Sequence, residues 1–364
     1  MPLFIHGLGT ATPLCAITQE HAVQAAEQFG CQTAEQRRLL RGLYRLTRVK
    51  TRHSVILESD SRDGLAMQSF FAPMRDENDR GPGTSARMVR YEHEAPVLAA
   101  AAARVALDES GMAPDTITHV VSVSCTGFAA PGFDVALIRE LGLRWAVERT
   151  HVGFMGCHGA LNGLRVARAY ADSVPGARVL LCAVELCSLH FQYGWNPNQI
   201  VANAIFADGA AALVGSADEP AAGDAWQHVA SGATLLEDSS ELMTWRVGDH
   251  GFDITLSARV PNVIEQRLRP WIDTWLGQHG LDVGGVATWA LHPGGPRILE
   301  ACAATLGLPP GAYTVSQEVL AAFGNMSSPT ILFIIDRLRR RNAPRPCVAL
   351  GFGPGLAVET ALFR

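Results

Sequence analysis

The sequence lacks a basic leader followed by a long apolar run, and with it any mark of export or membrane insertion. It opens Met1-Pro2-Leu3-Phe4-Ile5-His6-Gly7, and its most apolar stretch, Pro96 to Leu107, is short and interrupted by Arg104. A cytoplasmic protein with no membrane span is expected. There is no excess of positive charge either: the net charge is −5 and the pI is near 6.2, which argues against a nucleic-acid binder with a basic face. No two of the eight cysteines, at positions 15, 31, 125, 157, 182, 187, 302 and 347, form a CxxC pair. Neither a disulfide framework nor a metal site is expected, and most of these thiols read as small buried hydrophobes. No short tandem repeat is visible, although two α/β halves of similar size are compatible with duplication. Charged residues are sparse at 18%, against 48% hydrophobic. A chain of 364 residues with that balance buries a large core.

Strand-like and helix-like segments alternate over most of the length, the pattern of an α/β fold. Ile117–Ser124 and Arg178–Val184 read as buried strands. Cys157–Ala171 carries Leu161, Leu164, Ala167 and Ala171 at helical spacing. The small, polar stretch Ser216–Asp224 is the best internal boundary and divides the chain into halves, 1–217 and 225–364. Beyond it, strands are expected near 252–256, 286–291, 347–351 and 356–363, with helices near 260–276 and 328–341. The basic run Arg337-Leu338-Arg339-Arg340-Arg341 reads as cations offsetting a helix C-terminus.

Four segments place a reactive or hydrogen-bonding group beside glycine, which permits close backbone approach. In Val152-Gly153-Phe154-Met155-Gly156-Cys157-His158-Gly159-Ala160 the cysteine falls where an apolar segment turns into a helix. The positive helix end is expected to lower its pKa, although a buried structural cysteine is the ordinary alternative. In Trp289-Ala290-Leu291-His292-Pro293-Gly294-Gly295-Pro296 a histidine sits at a strand end, where α/β folds hold ligands, or where it is merely structural. In Phe323-Gly324-Asn325-Met326-Ser327-Ser328 the asparagine either caps the next helix or donates its amide to an oxyanion. The fourth segment, Gly351-Phe352-Gly353-Pro354-Gly355, is followed by no phosphate-loop lysine and reads as a turn shaping a pocket floor, with Phe352 in the cavity. A nucleophile, a base and an amide donor form a set suited to acyl transfer and enolate chemistry.

These residues resemble the chalcone and stilbene synthase family, the type III polyketide synthases of the thiolase-like superfamily. The likeness covers Ser124-Cys125-Thr126-Gly127, Pro131-Gly132, Gly156-Cys157, Phe206-Ala207-Asp208-Gly209, His292 to Pro296, Gly324 to Ser328 and Gly351 to Gly355. It implies a thiolase-like fold of five αβαβα layers from two related halves, usually a homodimer. It also implies acyl-CoA and malonyl-CoA as substrates, with no further cofactor. The family's nucleophile falls on Cys157, its histidine on His292 and its asparagine on Asn325. A gatekeeper phenylalanine falls on Phe206, and the second gatekeeper falls near Ile254, where the aromatic ring is missing. Cys125, Cys187 and His190 stand at cavity-wall positions held by threonines in plant chalcone synthases, Trp245 stands at a glycine position, and Ala130 replaces a methionine that reaches the partner's cavity.

That pattern is similar to bacterial enzymes making alkylpyrones or alkylresorcinols from fatty acyl starters. By the resemblance, a Cys157 thiolate paired with His292 takes the starter, and His292 with Asn325 holds the enolate of decarboxylated malonyl-CoA. The cluster Arg37, Arg38, Arg41, Arg45, Arg48, Lys50 and Arg52 lies in the family's CoA-binding region, and Gly294 and Gly295 join it as CoA contacts; a solvated helix face explains many of these cations equally well. The nearest alternative is a ketoacyl-carrier-protein synthase of the initiating type, and a silent scaffold is another.

Overall fold

The computed structural model describes residues 1–59, 68–220 and 225–364. The N-terminal half runs β1 (Leu3–Ala11), β2 (Ala16–Thr18), α1 (Gln19–Gly30), α2 (Ala34–Leu46), β3 (Thr51–His53), α3 (Thr84–Ser110), β4 (His119–Ser124), α4 (Phe133–Leu141), β5 (Glu148–Gly153), α5 (Gly159–Ser173), β6 (Arg178–Leu186), α6 (Pro197–Ile205) and β7 (Asp208–Ser216). The C-terminal half runs β8 (Gln227–Leu235), β9 (Met243–Gly248), β10 (Gly251–Leu256), α7 (Val260–Gly277), β11 (Thr288–Leu291), α8 (Pro296–Leu306), α9 (Thr314–Phe323), α10 (Pro329–Arg340), β12 (Cys347–Gly353) and β13 (Ala357–Phe363). The expected elements form within a few residues of their limits. The helix expected from Cys157 starts at Gly159, after one tight turn over Gly156–His158. Of the boundary stretch, Ser216 closes β7, and residues 221–224 lie outside the described residues.

Nine strands form the two main sheets, β1-β7-β6-β4-β5 and β11-β12-β13-β8, made continuous by a short β1–β8 pairing at Leu3–His228 and Phe4–Gln227, while β2 with β3 and β9 with β10 form separate two-stranded ribbons. Helices α5 and α10 lie between the two sheets, touching β4 and β6 on one side and β13 and β11 on the other. Their apolar faces share one core, in which Leu161, Leu164, Ile331 and Ile335 meet Val121, Leu181, Ala290 and Ala349. Helices α3 and α4 cover the outside of the first sheet, and α7 and α8 cover the outside of the second. The result is five layers. Strands β4, β6 and β7 are buried on both faces, which explains why their sequences read as continuous apolar runs instead of alternating ones.

Close packing of α3 on β1 rests on small residues. Ala95, Ala99, Ala102, Ala103 and Ala106 are buried along the helix, and Gly7 and Gly9 face them from the strand. The basic end of α10 is held by carboxylates: Arg337 and Arg341 reach Glu318, Arg339 and Arg340 reach Glu109, and Arg340 also pairs with Asp336. Among the described residues no helix is long and apolar enough to cross a membrane. The layering directs the C-terminal ends of the parallel strands and the N-terminal ends of both central helices to one place, where α/β proteins hold ligands.

Gly9→Ala tests the contact between the outer helix and the first strand. Its new Cβ would collide with the Ala102 carbonyl, a backbone atom that cannot step aside. A loss of about 1–3 kcal/mol is expected from urea unfolding midpoints at unchanged slope.

Candidate active site

Cys157 sits in the turn ahead of α5, and Asn325 sits in the turn ahead of α10. Gly156, at φ 73°, gives the first turn its shape and packs on Pro354. His292 follows the last residue of β11, and its N–H donates to the Leu350 carbonyl at 2.8 Å. Leu291 pairs with Leu350, so continuing that register sets His292 beside Gly351. Side chains alternate along a strand. Ala290 and Ala349 face the central core, so His292 and Gly351 face it too, toward the start of α5.

Asn325 does not cap α10, whose N-cap is Ser328. Its Oδ1 accepts from the Ser327 N–H at 2.8 Å, a local turn that consumes the acceptor. That leaves Nδ2 aimed at the Cys157 sulfur, 3.9 Å away. The same residue is locked to the gatekeeper position: Phe206 and Asn325 form an isolated β-bridge, with Asn325 N donating to Ile205 O at 2.8 Å and Ala207 N to Asn325 O at 2.9 Å. A Cβ at Gly324 would lie 2.9 Å from Ile205 O and 3.1 Å from the Arg52 Cγ, which accounts for the glycine. Arg52 is buried and caps α6, donating to the carbonyls of Asn203 at 2.6 Å and Phe206 at 3.1 Å.

Behind these turns lies Glu185, fully buried at the end of β6. Its Oε2 accepts from Cys125 N at 2.9 Å, Thr126 Oγ1 at 2.7 Å and Ser124 Oγ at 3.3 Å, and its Oε1 accepts from Ser328 Oγ at 2.6 Å.

Electrostatics departs from the expected thiolate. Burial pushes the Cys157 thiol up to about 11, outweighing hydrogen bonds from Ser327 and Asn325 that act the other way. Burial also drives His292 down to about 3, with a smaller push from neighbouring His158. Both shifts run against the expected thiolate–imidazolium pair. Among the described residues neither ring nitrogen of His292 has a hydrogen-bond partner, although the residue is 1% exposed. Buried polar atoms are rarely left so.

Cys157 opens into a cavity enclosing about 1240 Å3 of empty space, its open mouth included. Phe206, Cys125, Cys187, His190, Trp245 and Ile254 all line it, as expected. His190 is a wall and not an acid or base: Nδ1 accepts from Phe252 N at 3.0 Å, so Nε2 donates to Thr126 O at 2.6 Å, and burial depresses it to about 3. Trp245 donates to the Cys125 carbonyl at 2.6 Å.

Other expectations are corrected. Phe352 does not line the cavity. With Gly351 and Gly353 facing inward, alternation turns Phe352 outward into the core under α7 and α8. Of the proposed CoA-binding cations, Arg41 is tied to Glu27, Arg48 is tied to Glu300 of α8 at 2.7 Å, and Arg52 is the buried cap described above. Arg37, Arg38, Arg45 and Lys50 are exposed. Gly294 and Gly295 lie at the start of α8 and outside the cavity lining.

Sequence reasoning missed Phe252, Glu185 and the cavity's reach to α1. Phe252 lies two residues before Ile254 on the same face of β10. It lines the cavity and stacks on His190 at 4.1 Å between ring centroids, so an aromatic ring is present here although Ile254 is not one. The period-two spacing to Ile254 was the available signal. For Glu185 the signal was a lone acid closing a wholly apolar strand.

Family models described as the chalcone and stilbene synthase N-terminal and C-terminal domains match residues 2–219 and 227–364. An alpha-pyrone synthesis polyketide synthase-like protein, Pks18 of Mycobacterium tuberculosis, is 32% identical over 99% of this chain and 90% of its own. A 1,3,6,8-tetrahydroxynaphthalene synthase from Streptomyces peucetius is 33% identical over 98% of this chain and 91% of its own. The crystal structure of PKS-I from the brown alga Ectocarpus siliculosus superposes with a TM-score of 0.92 at 31% identity, covering 100% of this chain and 98% of that one. The type III domain of Steely1 from Dictyostelium gives 0.89 at 28% identity, covering 100% and 99%. The fold is thiolase-like and the protein is a condensing acyltransferase. The chain belongs to the chalcone and stilbene synthase family of type III polyketide synthases.

These shifts make a prediction that an ion pair does not. Iodoacetamide labelling of Cys157 in the free enzyme should climb through pH 7 to 10 without a plateau, about tenfold per unit at its steepest. A rate already flat by pH 8, followed by peptide mass spectrometry, would show a preformed thiolate.

Proposed function

We propose that the enzyme extends a fatty acyl-CoA starter by repeated decarboxylative condensation with malonyl-CoA, carrying the growing chain on Cys157 and closing it to an alkylpyrone or alkylresorcinol. One observation carries the catalytic assignment. Cys157 lines a cavity and has the Nδ2 of Asn325, an amide whose acceptor is already used, 3.9 Å from its sulfur, while buried His292, with two idle nitrogens, follows β11 on the face turned toward the start of α5.

In this reading Cys157 gives its proton to His292 as the sulfur attacks the starter thioester, and the proton leaves on the CoA thiol. The charge pair exists only during attack, which suits a site that penalises ions. Malonyl-CoA then places its thioester oxygen between Asn325 Nδ2 and the ring N–H of neutral His292. Loss of carbon dioxide leaves an enolate on that oxygen, and the carbon attacks the acyl group on Cys157. Phe206 covers the departing carboxylate and keeps water out.

The starter class follows from the far end of the cavity. It reaches α1, where Ala22, Ala25, Ala26 and Phe29 line it beside Ile17 of β2, and among the described residues no carboxylate or lysine borders it. Small and apolar walls of this kind suit a straight hydrocarbon chain, at roughly 0.8 kcal/mol for each methylene buried. Pks18, named for alpha-pyrone synthesis, is similar over the same length.

CoA is assigned to the surface where the Arg48–Glu300 pair ties the segment after α2 to α8; Arg45 and Lys50 are exposed on that side, and Gly294 and Gly295 precede α8. The halves 1–217 and 225–364 are read as duplicated units. A homodimer is assigned to the unpaired edge of β5, with exposed Trp145 next to it; sedimentation as a monomer would refute that part.

Product mass spectrometry with malonyl-CoA and a panel of acyl-CoA starters tests the whole reading, without any carrier protein. Cys157→Ala should make no extended product yet still release carbon dioxide from malonyl-CoA. Asn325→Ala should lose about 100–1000-fold in both steps, the usual effect of one oxyanion donor. Ala25→Phe should fill the α1 end and shift preference toward shorter starters. Carrier-protein dependence would instead favour an initiating ketoacyl synthase.

A further inference from the structure

The cavity assigned to the acyl chain does not end in solid packing. Where it reaches the last turn of α1 it abuts a second hollow of about 1230 Å3, open mouth included, which is as polar as the first is apolar. Gln32, Gln36, Glu77, Asp249, His250 and Asp253 line this cleft. The backbone passes from one space to the other at two places. Phe29 lines the cavity and Gly30 the cleft; Phe191 lines the cavity and Tyr193 the cleft. Gly194 N donates to Phe29 O at 2.9 Å, and the Phe29 ring packs on Phe191 at 5.4 Å and on Tyr193 at 5.2 Å between centroids. The two segments therefore form one partition. Gln192 stands in it, and among the described residues it alone lines both spaces.

Gln192 is 8% exposed, and all its polar groups but one are committed. Its N–H donates to Asn203 Oδ1 at 3.1 Å, and its carbonyl accepts from Asn203 Nδ2 at 2.8 Å, so a side chain of α6 fixes the backbone. Its Nε2 donates to the carbonyls of His250 at 3.2 Å and Phe252 at 3.4 Å, which ties the side chain to the turn before β10 and to β10 itself. Both amide hydrogens are thereby used. Among the described residues nothing donates to Oε1. A flipped amide would set that oxygen against two carbonyl oxygens, so its place is fixed. A rigid acceptor without a donor, between an apolar pocket and a polar cleft, calls for a hydroxyl or a water.

A chain that ends in a methyl group gains from burial only as far as this partition. Each methylene added inside the cavity strengthens binding about fourfold. One pushed past Gln192 enters polar space open to solvent and gains nothing, while the chain strips water from Oε1. A chain that ends in a hydroxyl escapes the second loss, because its O–H takes the place of that water.

We propose that Gln192 is the end stop of the acyl pocket, and that it selects there for starters whose far end carries a hydroxyl group, which donates to Oε1. The inference rests on the polyketide synthase reading given above and narrows its starter class. Gln192 determines specificity at the far end of the chain and takes no part in the chemistry at Cys157.

The test measures kcat/KM at saturating malonyl-CoA for saturated starters from octanoyl-CoA to eicosanoyl-CoA, and for the same chains bearing an ω-hydroxyl. With the wild type, methyl-ended starters should improve with length and then level off or fall. At that limiting length the hydroxyl-ended chain should be preferred about tenfold, the effect of keeping a buried hydrogen bond over losing it. Shorter hydroxyl-ended chains should be worse than their methyl-ended partners, because their O–H is stranded among apolar walls. In Gln192→Leu, which keeps the bulk and removes the acceptor, the preference should vanish. In Gln192→Ala, which joins the two spaces, the limiting length should move to longer chains. Equal rates for both end groups at every length in the wild type overturn the proposal, and that comparison needs no variant to fold. A hydroxyl preference that survives in Gln192→Leu, at an unchanged melting temperature, overturns it as well. If the wild-type enzyme elongates no acyl-CoA starter of either kind, the polyketide synthase reading itself has failed, and the end stop with it.

Discussion

A single buried carboxylate holds the two halves in register at the point where chemistry is assigned. Glu185 lies at the end of β6 and collects donors from both sides: Ser124, Cys125 and Thr126 from the end of β4, and Ser328 from the start of α10. Burying a charge this deeply costs several kcal/mol, and burial does raise its pKa. Four donors offset that penalty because each would be orphaned without it. Tyr91, donating to Ser124 Oγ at 2.8 Å, extends the network to α3. Cys125 and the Asn325–Ser327 turn meet directly as well, through the 3.4 Å contact between Cys125 Sγ and Ser327 Oγ.

Dryness is the second organising condition, and it cuts both ways. The burial that raises the Cys157 pKa and lowers that of His292 works against a resting thiolate. The same low polarity strengthens every donor aimed at a charge that forms only in passing. Opposition to a resting ion pair and a strong response to transient charge are therefore two results of one environment.

Much of this was legible in the chain, and the failures have physical causes. Long buried strands such as Arg178–Leu186 and the amphipathic spacing of α5 announced themselves, because one-dimensional periodicity reports burial directly. The Cys, His and Asn motifs were readable because each sits at an element end marked by glycine. Cavity membership was harder. Phe352 was misplaced although its neighbours Gly351 and Gly353 fix its direction through strand alternation, a rule available from sequence. Phe252 was overlooked because it lies two residues from the position singled out. Arg52 was grouped with surface cations, and only tertiary contact distinguishes a helix cap from a solvated arginine. The reach of the cavity to α1 depends on packing between distant segments and had no local signature.

The bridge between Phe206 and Asn325 carries a lesson about how such an enzyme diversifies. Because the aromatic lid and the amide donor share one pair of backbone hydrogen bonds, backed by the Arg52 cap, neither can drift without dragging the other. If the proposed reading holds, Ile254, Cys187 and the alanines of α1, which line the cavity outside this seam, are where product can vary. New specificities can accumulate there while the chemical step is inherited intact.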